Sequence, residues 1–133
     1  MTAVQVSPRI SCRDLDLSDP ELGAWVATMQ SRLPRAVREL TSPKWLGLYF
    51  DDQLFAAMSF THRKDGSIFI DGLVCRPNKL GRKYAVALWM TLRTLWRGRR
   101  ISFCVALSNH KMLRALTQYT TAKPVAAVFE MEV

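Results

Sequence analysis

Apolar runs and short polar interruptions alternate along this chain, and the spacing of the apolar positions changes from segment to segment. VQVSPRI (4–10) reads as one short strand, with Pro8 at an edge or bulge because proline brings no N–H to a ladder. Ser18-Asp19-Pro20-Glu21 has the form of a capping box with a proline in the first turn, which starts a helix. Leu22, Trp25, Val26, Met29 and Leu33 follow at the i, i+3, i+4, i+7 spacing of one buried helical face. Pro34 breaks that helix and opens a second, PRAVREL, before a loop at Thr41-Ser42-Pro43.

Strand-like runs come next. KWLGLYF (44–50) and QLFAAMSFTH (53–62) flank Asp51-Asp52, a tight hairpin. The turn Lys64-Asp65-Gly66 leads into SIFIDGLVC (67–75) and completes a three-stranded antiparallel meander. A basic turn, RPNKLGRK (76–83), opens the apolar helix YAVALWMTLRTLW (84–96). After Arg97-Gly98-Arg99, the almost wholly apolar ISFCVAL (101–107) suits a central strand buried on both faces and parallel to SIFIDGLVC. Ser108 caps a short helix, NHKMLRALTQY, and PVAAVFEMEV closes the chain as a last strand. The order β-α-α-β-β-β-α-β-α-β predicts an α/β fold: a mixed, mostly antiparallel central sheet with helices on both faces and one right-handed crossover. No repeat or linker interrupts the 133 residues, which are expected to form a single domain.

Composition narrows the function. Half of the residues are apolar and about a quarter charged (49% and 23%), which is globular composition. No apolar run has the length of a membrane span, and MTAVQVSPRI lacks a signal-peptide core, so a cytoplasmic protein without membrane attachment is expected. Cys12, Cys75 and Cys104 lie far apart without metal-ligand spacing and read as buried free thiols of a reducing compartment. His62 and His110, the two histidines, are too far apart in sequence to suggest a metal site, and no Gly-x-Ser-x-Gly nucleophile motif occurs. The net charge of +8 points to an acidic partner or a polyphosphate ligand. Nucleic acid is disfavoured, because the cations at Arg63-Lys64, from Arg76 to Lys83, and at Arg97, Arg99 and Arg100 make no helix-long stripe interleaved with aromatics.

The unit from Ser67 to Trp96 carries the candidate chemistry. An apolar strand, a basic glycine-containing turn and a helix together aim free backbone N–H groups, the positive end of a helix dipole and cationic side chains at one point. Two readings stand side by side: an anion site, and a solvated basic turn that caps a helix and binds nothing. Gly72 inside the strand is consistent with a bulge or a close backbone approach. Asp71 is the only carboxylate within that strand. Burial among apolar residues strengthens a carboxylate's hold on a proton, as suits a base, while a structural Asp bonded to neighbouring backbone is the plain alternative.

In order, length and placement of the basic turn, nearly the whole chain resembles the GCN5-related N-acetyltransferase (GNAT) superfamily. There a hairpin like GLYFDDQLFAAMSF precedes the fourth strand, which ends in a Val-x-Pro-like step, here Cys75-Arg76-Pro77. The family's pyrophosphate loop, Arg/Gln-x-x-Gly-x-Gly/Ala, falls on Leu80-Gly81-Arg82-Lys83-Tyr84-Ala85. Ala85 keeps the final small residue and Gly81 matches a common glycine, whereas Leu80 replaces Arg/Gln and Lys83 replaces the middle glycine. The resemblance implies a GNAT-like acyl-CoA N-acyltransferase fold and acetyl-CoA (coenzyme A) as cofactor. Leu80 to Ala85 would hold its pyrophosphate, assisted by Arg76 and Lys79, and the main chain of Leu73 and Cys75 would pair with pantetheine in a splay between the fourth and fifth strands. Lys83 would either point outward or place its ammonium on the diphosphate.

The resemblance also implies catalytic roles. Asp71 would be the base for an amine acceptor, with His62 a weaker candidate. In the family a helix of the form Asn-x-x-Ala-x-x-x-Tyr supplies a cofactor contact and a tyrosine acid. Asn109 matches the Asn, Met112 and Leu116 fall at the alanine and tyrosine positions, and Tyr119 is the nearest phenol. The expected function is acetyl transfer from acetyl-CoA to an amine-bearing acceptor, small molecule or protein. The alternative is a catalytically degenerate binding protein that acts on a host or virion partner, because small, eroded relatives of this kind occur in tailed bacteriophages.

Overall fold

The computed structural model describes residues 3–30, 45–76, 78–79, 81–103, 110–123 and 131. Among them six strands form one sheet in sequence order: β1 (Ala3–Gln5), β2 (Ile10–Asp14), β3 (Leu46–Phe50), β4 (Gln53–His62), β5 (Ile68–Cys75) and β6 (Ile101–Phe103). Three helices, α1 (Pro20–Gln30), α2 (Arg82–Trp96) and α3 (His110–Tyr119), complete the described elements. All strand pairs are antiparallel except β5 with β6, whose parallel register (Ile68 with Ile101, Ile70 with Phe103) confirms the crossover through α2. No helix among the described residues is long and apolar enough to cross a membrane.

Two local expectations are corrected. VQVSPRI is not one strand; Val6 and Ser7 both donate N–H to the Ile10 carbonyl, and β1 and β2 form a hairpin turning at Ser7-Pro8-Arg9. A fixed φ and a missing donor favour such a turn more than a bulge. SIFIDGLVC is therefore the fifth strand among the described residues. Ser18 does not cap α1 either. It bonds Asp16 through its N–H (2.9 Å) and hydroxyl (2.5 Å), and Asp19 accepts from the N–H of Glu21 at 3.0 Å at the helix start.

The hairpin at Asp51-Asp52 forms as expected, with φ of 50° and 62° at the two residues, the left-handed pair that matches strand twist and that Asp tolerates. Arg9 grips Asp51 with two nitrogens (2.8 and 2.5 Å), tying this hairpin to the first. α2 ends where sequence predicts: Gly98 takes φ +80° just beyond the C-cap, and Arg99 N–H closes onto the Trp96 carbonyl at 3.1 Å.

The sheet carries a helical layer on each face. On one, Ile10, Leu48, Met58 and Ile70 pack beneath Leu88, Leu92 and Trp96 of α2 and Met112 and Leu116 of α3. On the other, Trp45, Ala57 and Val74 pack with Leu22, Trp25 and Val26 of α1. Each fully buried Leu, Ile, Val or Met among them contributes about 1.5–3 kcal/mol through the apolar area it removes from water. Cys12 and Cys75 are buried free thiols, as expected. The described part of ISFCVAL, Ile101–Phe103, is half-buried. The side chains of Met29 and Gln30, the proposed second helix at 34–40, Leu33, Cys104, the Ser108 cap and the proposed final strand (124–133, apart from Met131) lie outside the described residues.

Candidate functional site

β5 is interrupted by a bulge. Ile70 pairs with Phe60 and Gly72 with Ser59, which leaves Asp71 as the extra residue. Gly72 is required there: a Cβ would come 2.6 Å from the Trp45 ring and 2.9 Å from the Ser59 hydroxyl. The Asp71 side chain is 2% exposed and lies on the α1 face of the sheet. There it accepts hydrogen bonds from the hydroxyls of Ser59 and, at 2.9 Å, Thr61. These alternate residues of β4 face it across the ladder, so the buried carboxylate is satisfied by side chains where a backbone partner had been the expected alternative. Thr61 itself is an exposed residue, whereas Ser59 is buried.

The bulge also reverses which edge of β5 offers its amides. Arg76 N–H donates to the Phe55 carbonyl on β4, at 3.0 Å. Strand alternation then turns the N–H and C=O groups of Leu73 and Cys75 toward the opposite edge, where β6 lies. Among the described residues the β5–β6 ladder stops at Ile70 with Phe103.

Beyond β5 the chain turns into α2. Lys79 N–H bonds the Arg76 carbonyl, and extended Gly81 (φ −71°, ψ 175°) is the N-cap whose carbonyl accepts from the N–H groups of Tyr84 and Ala85. Gly81 has no side chain to cap with, the first turn contains no acid, and exposed Arg82 and Lys83 occupy its first two positions. Two cations at the positive end of a helix dipole oppose it, at about 0.3–1 kcal/mol each.

Lys83 neither points simply outward nor lies along the turn. Its ammonium sits 4.7 Å from the centre of the Phe50 ring and 5.0 Å from that of Tyr84. The Lys79 ammonium donates to the Tyr84 hydroxyl at 2.9 Å. That bond, with the charge of both lysines nearby, outweighs desolvation and holds the Tyr84 phenol below the usual tyrosine range. Arg76 is drawn away from the turn: its Nε donates to the Leu54 carbonyl at 3.1 Å and its guanidinium stacks on Trp25 of α1 at 4.6 Å.

Between α2 and α3 lies a cleft lined by Cys75, Tyr84, Ala85, Leu88, Met112 and Leu116. Burial pushes the Cys75 thiol up to about 12, so it is a protonated, inert wall. Leu116 faces the cleft and Tyr119, half-buried, ends α3 one turn farther on, outside the lining. His62 ends β4 at the far pole, exposed, with its ring edge-on to Phe60. Leu80 and Asn109 lie outside the described residues. The structure thus gathers Lys79, Gly81, Arg82, Lys83, Tyr84 and Ala85 around one helix start and places Asp71 on the opposite face of the sheet. Sequence reading missed Ser59, Thr61 and the Lys79–Tyr84 pair; the one trace of the first two was polar alternation inside an apolar strand.

No known family pattern and no curated protein sequence matches this chain. Solved structures do. An acetyltransferase from Salmonella typhimurium that modifies the N-terminal serine of ribosomal protein L7/L12 superposes with a TM-score of 0.61 at 14% identity, covering 88% of this chain and 83% of its own. An aminoglycoside acetyltransferase from an uncultured soil metagenomic sample gives 0.53 at 10%, covering 97% and 99%. A protein described as a predicted acetyltransferase with acetyl-CoA, from Clostridium acetobutylicum, gives 0.51 at 12%, covering 92% and 96%. With a bulged β5, a parallel β5–β6 step and a basic turn opening the crossover helix, the chain has the fold of the GCN5-related N-acetyltransferases.

Proposed function

We propose that this chain is an N-acyltransferase that moves acetyl from acetyl-CoA to an amine-bearing acceptor. One observation carries the reading: the α2 N-terminus is uncapped, free of acid and lined by Arg82 and Lys83, with Lys79 one turn away. Unliganded, that arrangement works against the helix; a diphosphate there reverses the sign of each term. The main-chain edge of Leu73 and Cys75 supports the same reading, because it is oriented to pair with an amide-bearing chain such as pantetheine. Bound coenzyme A would supply the activated acyl group as a thioester.

Asp71 is the proposed proton acceptor, acting through Thr61. The hydroxyl of Thr61, an exposed residue, takes the amine proton as it passes its own to Asp71, 2.9 Å away, so the amine reaches the acyl carbon neutral. Asp71 lies on the α1 face, and the acceptor would approach from that face. Among similar structures, one acts on a ribosomal protein and another is an aminoglycoside acetyltransferase, which supports an amine acceptor without choosing between protein and small molecule.

Calorimetric titration with acetyl-CoA tests the site, and thiol release across a panel of amines tests turnover. Asp71→Asn and Thr61→Val should each slow turnover about 100-fold or more while acetyl-CoA affinity stays put. No heat and no thermal shift at millimolar acetyl-CoA would sink the proposal. A second reading, a cofactor-binding protein without turnover, draws on Leu116, an apolar wall where the resemblance expects a tyrosine acid. Binding with no thiol release on any amine would select it.

A further inference from the structure

β5 and α2 run in opposite directions, so the turn after β4 and the segment after α2 meet at one end of the sheet, about 26 Å along β5 from the turn at 76–83. Ile68 N–H bonds the Arg100 carbonyl (3.0 Å), Arg99 donates to His62 Nδ1 (3.4 Å), and Arg100 pairs with Asp65 (3.4 Å). Exposed Arg63, Lys64, Arg97, Arg99 and Arg100 face a single carboxylate, Asp65, in these two segments, which puts half of the chain's +8 at one pole. The helix dipole favours a cation near Arg97 but says nothing about Arg63 and Lys64, which follow a different element.

An aromatic ring accompanies the cations. The Arg63 guanidinium lies over the half-buried Phe69 ring at 4.6 Å. We propose that this pole binds single-stranded nucleic acid, with phosphates on these five cations and a base stacked on the Arg63–Phe69 platform. An acidic protein segment would use the charge alone; a flat guanidinium–aromatic pair adds the surface that a nucleobase fills. The clustering of cations beside the Phe69 ring, which no sequence stripe displays, arises only when residues 62–69 and 97–100 come together. This inference does not depend on the acyl-transfer reading.

Anisotropy of a fluorescein-labelled oligothymidylate tests it. Five phosphate contacts would give log affinity a slope of about −3.5 against log salt. Arg63→Glu with Arg99→Glu should weaken binding at low salt about tenfold or more, and Phe69→Leu, which keeps an apolar side chain but removes the ring, about fivefold. Arg82→Glu with Lys83→Glu makes the same change in net charge at the other pole and should stay within twofold. Equal weakening by the two pairs would show diffuse charge and overturn the assignment. So would displacement by polyglutamate as effective as by unlabelled oligonucleotide, or no binding at low salt.

Discussion

The two ends of α2 hold similar charges with opposite consequences. At its C-terminus Arg93 and Arg97 sit at the negative end of the dipole, Gly98 closes the helix in the left-handed region, and the cations agree with the backbone. At its N-terminus Arg82 and Lys83 sit at the positive end, with no acid and no side-chain cap, and disagree with it. A local rule kept at one end and broken at the other marks the broken end as the one shaped by something other than stability. The other device there points the same way: the Lys79–Tyr84–Lys83 contact concentrates charge instead of neutralising it.

The largest effect expected from this contrast is on ligand binding. Lys83→Glu should weaken acetyl-CoA by about 10- to 100-fold, the value of about 1.5–3 kcal/mol for a charge-assisted bond. Arg97→Glu should change it less than twofold. Calorimetry that finds the two equal would erase the distinction.

Stability of the ligand-free protein should move in opposite directions. Arg82→Glu should raise it by about 0.3–1 kcal/mol and Arg97→Glu should lower it by a similar amount. Urea unfolding at low salt reads both, and 1 M salt should flatten the difference because these sites are exposed. Two changes of the same sign would mean that the dipole is not the governing term.

The smallest effect is a titration. The Tyr84 phenol loses its proton more readily folded than unfolded, where the ordinary value is 10.0. Its contribution to stability is therefore fully present above that ordinary value and is lost as pH falls through the lower, folded one. Phenolate absorbance should appear at lower pH than for free tyrosine, and Lys79→Met should move it back up. An unmoved titration would mean that Lys79 does not hold the phenol in solution.

The hairpin at Asp51-Asp52 and the stop at Gly98 were readable along the chain, because each depends on backbone geometry within a few residues, whereas Gly72 signalled a bulge or close approach whose partners, Trp45 and Ser59, lie far off in sequence. The turn at Pro8 was readable as an interruption but not as a chain reversal, since that depends on a second strand, β2, accepting the first. Asp71 was legible as an odd carboxylate in an apolar strand. Its partners were not, because Ser59 and Thr61 reach it only through a register that the bulge shifts by one residue. Arg76 shows the reverse case: it counts as a phosphate ligand by position in the turn, and packing against Trp25 and Leu54 takes it away.

By itself, the sequence determined the order of the described elements from α1 to α3, the crossover, and the concentration of charge at the start of α2, all of which follow from spacing and turn chemistry. Only the tertiary structure decided which charges stay available, which hydroxyls hold Asp71, and that two separate basic segments form one pole. Those outcomes rest on contacts between residues up to 51 positions apart, as between Trp25 and Arg76. Such contacts are selected by packing and strand register, and neither is written in any local stretch of the chain.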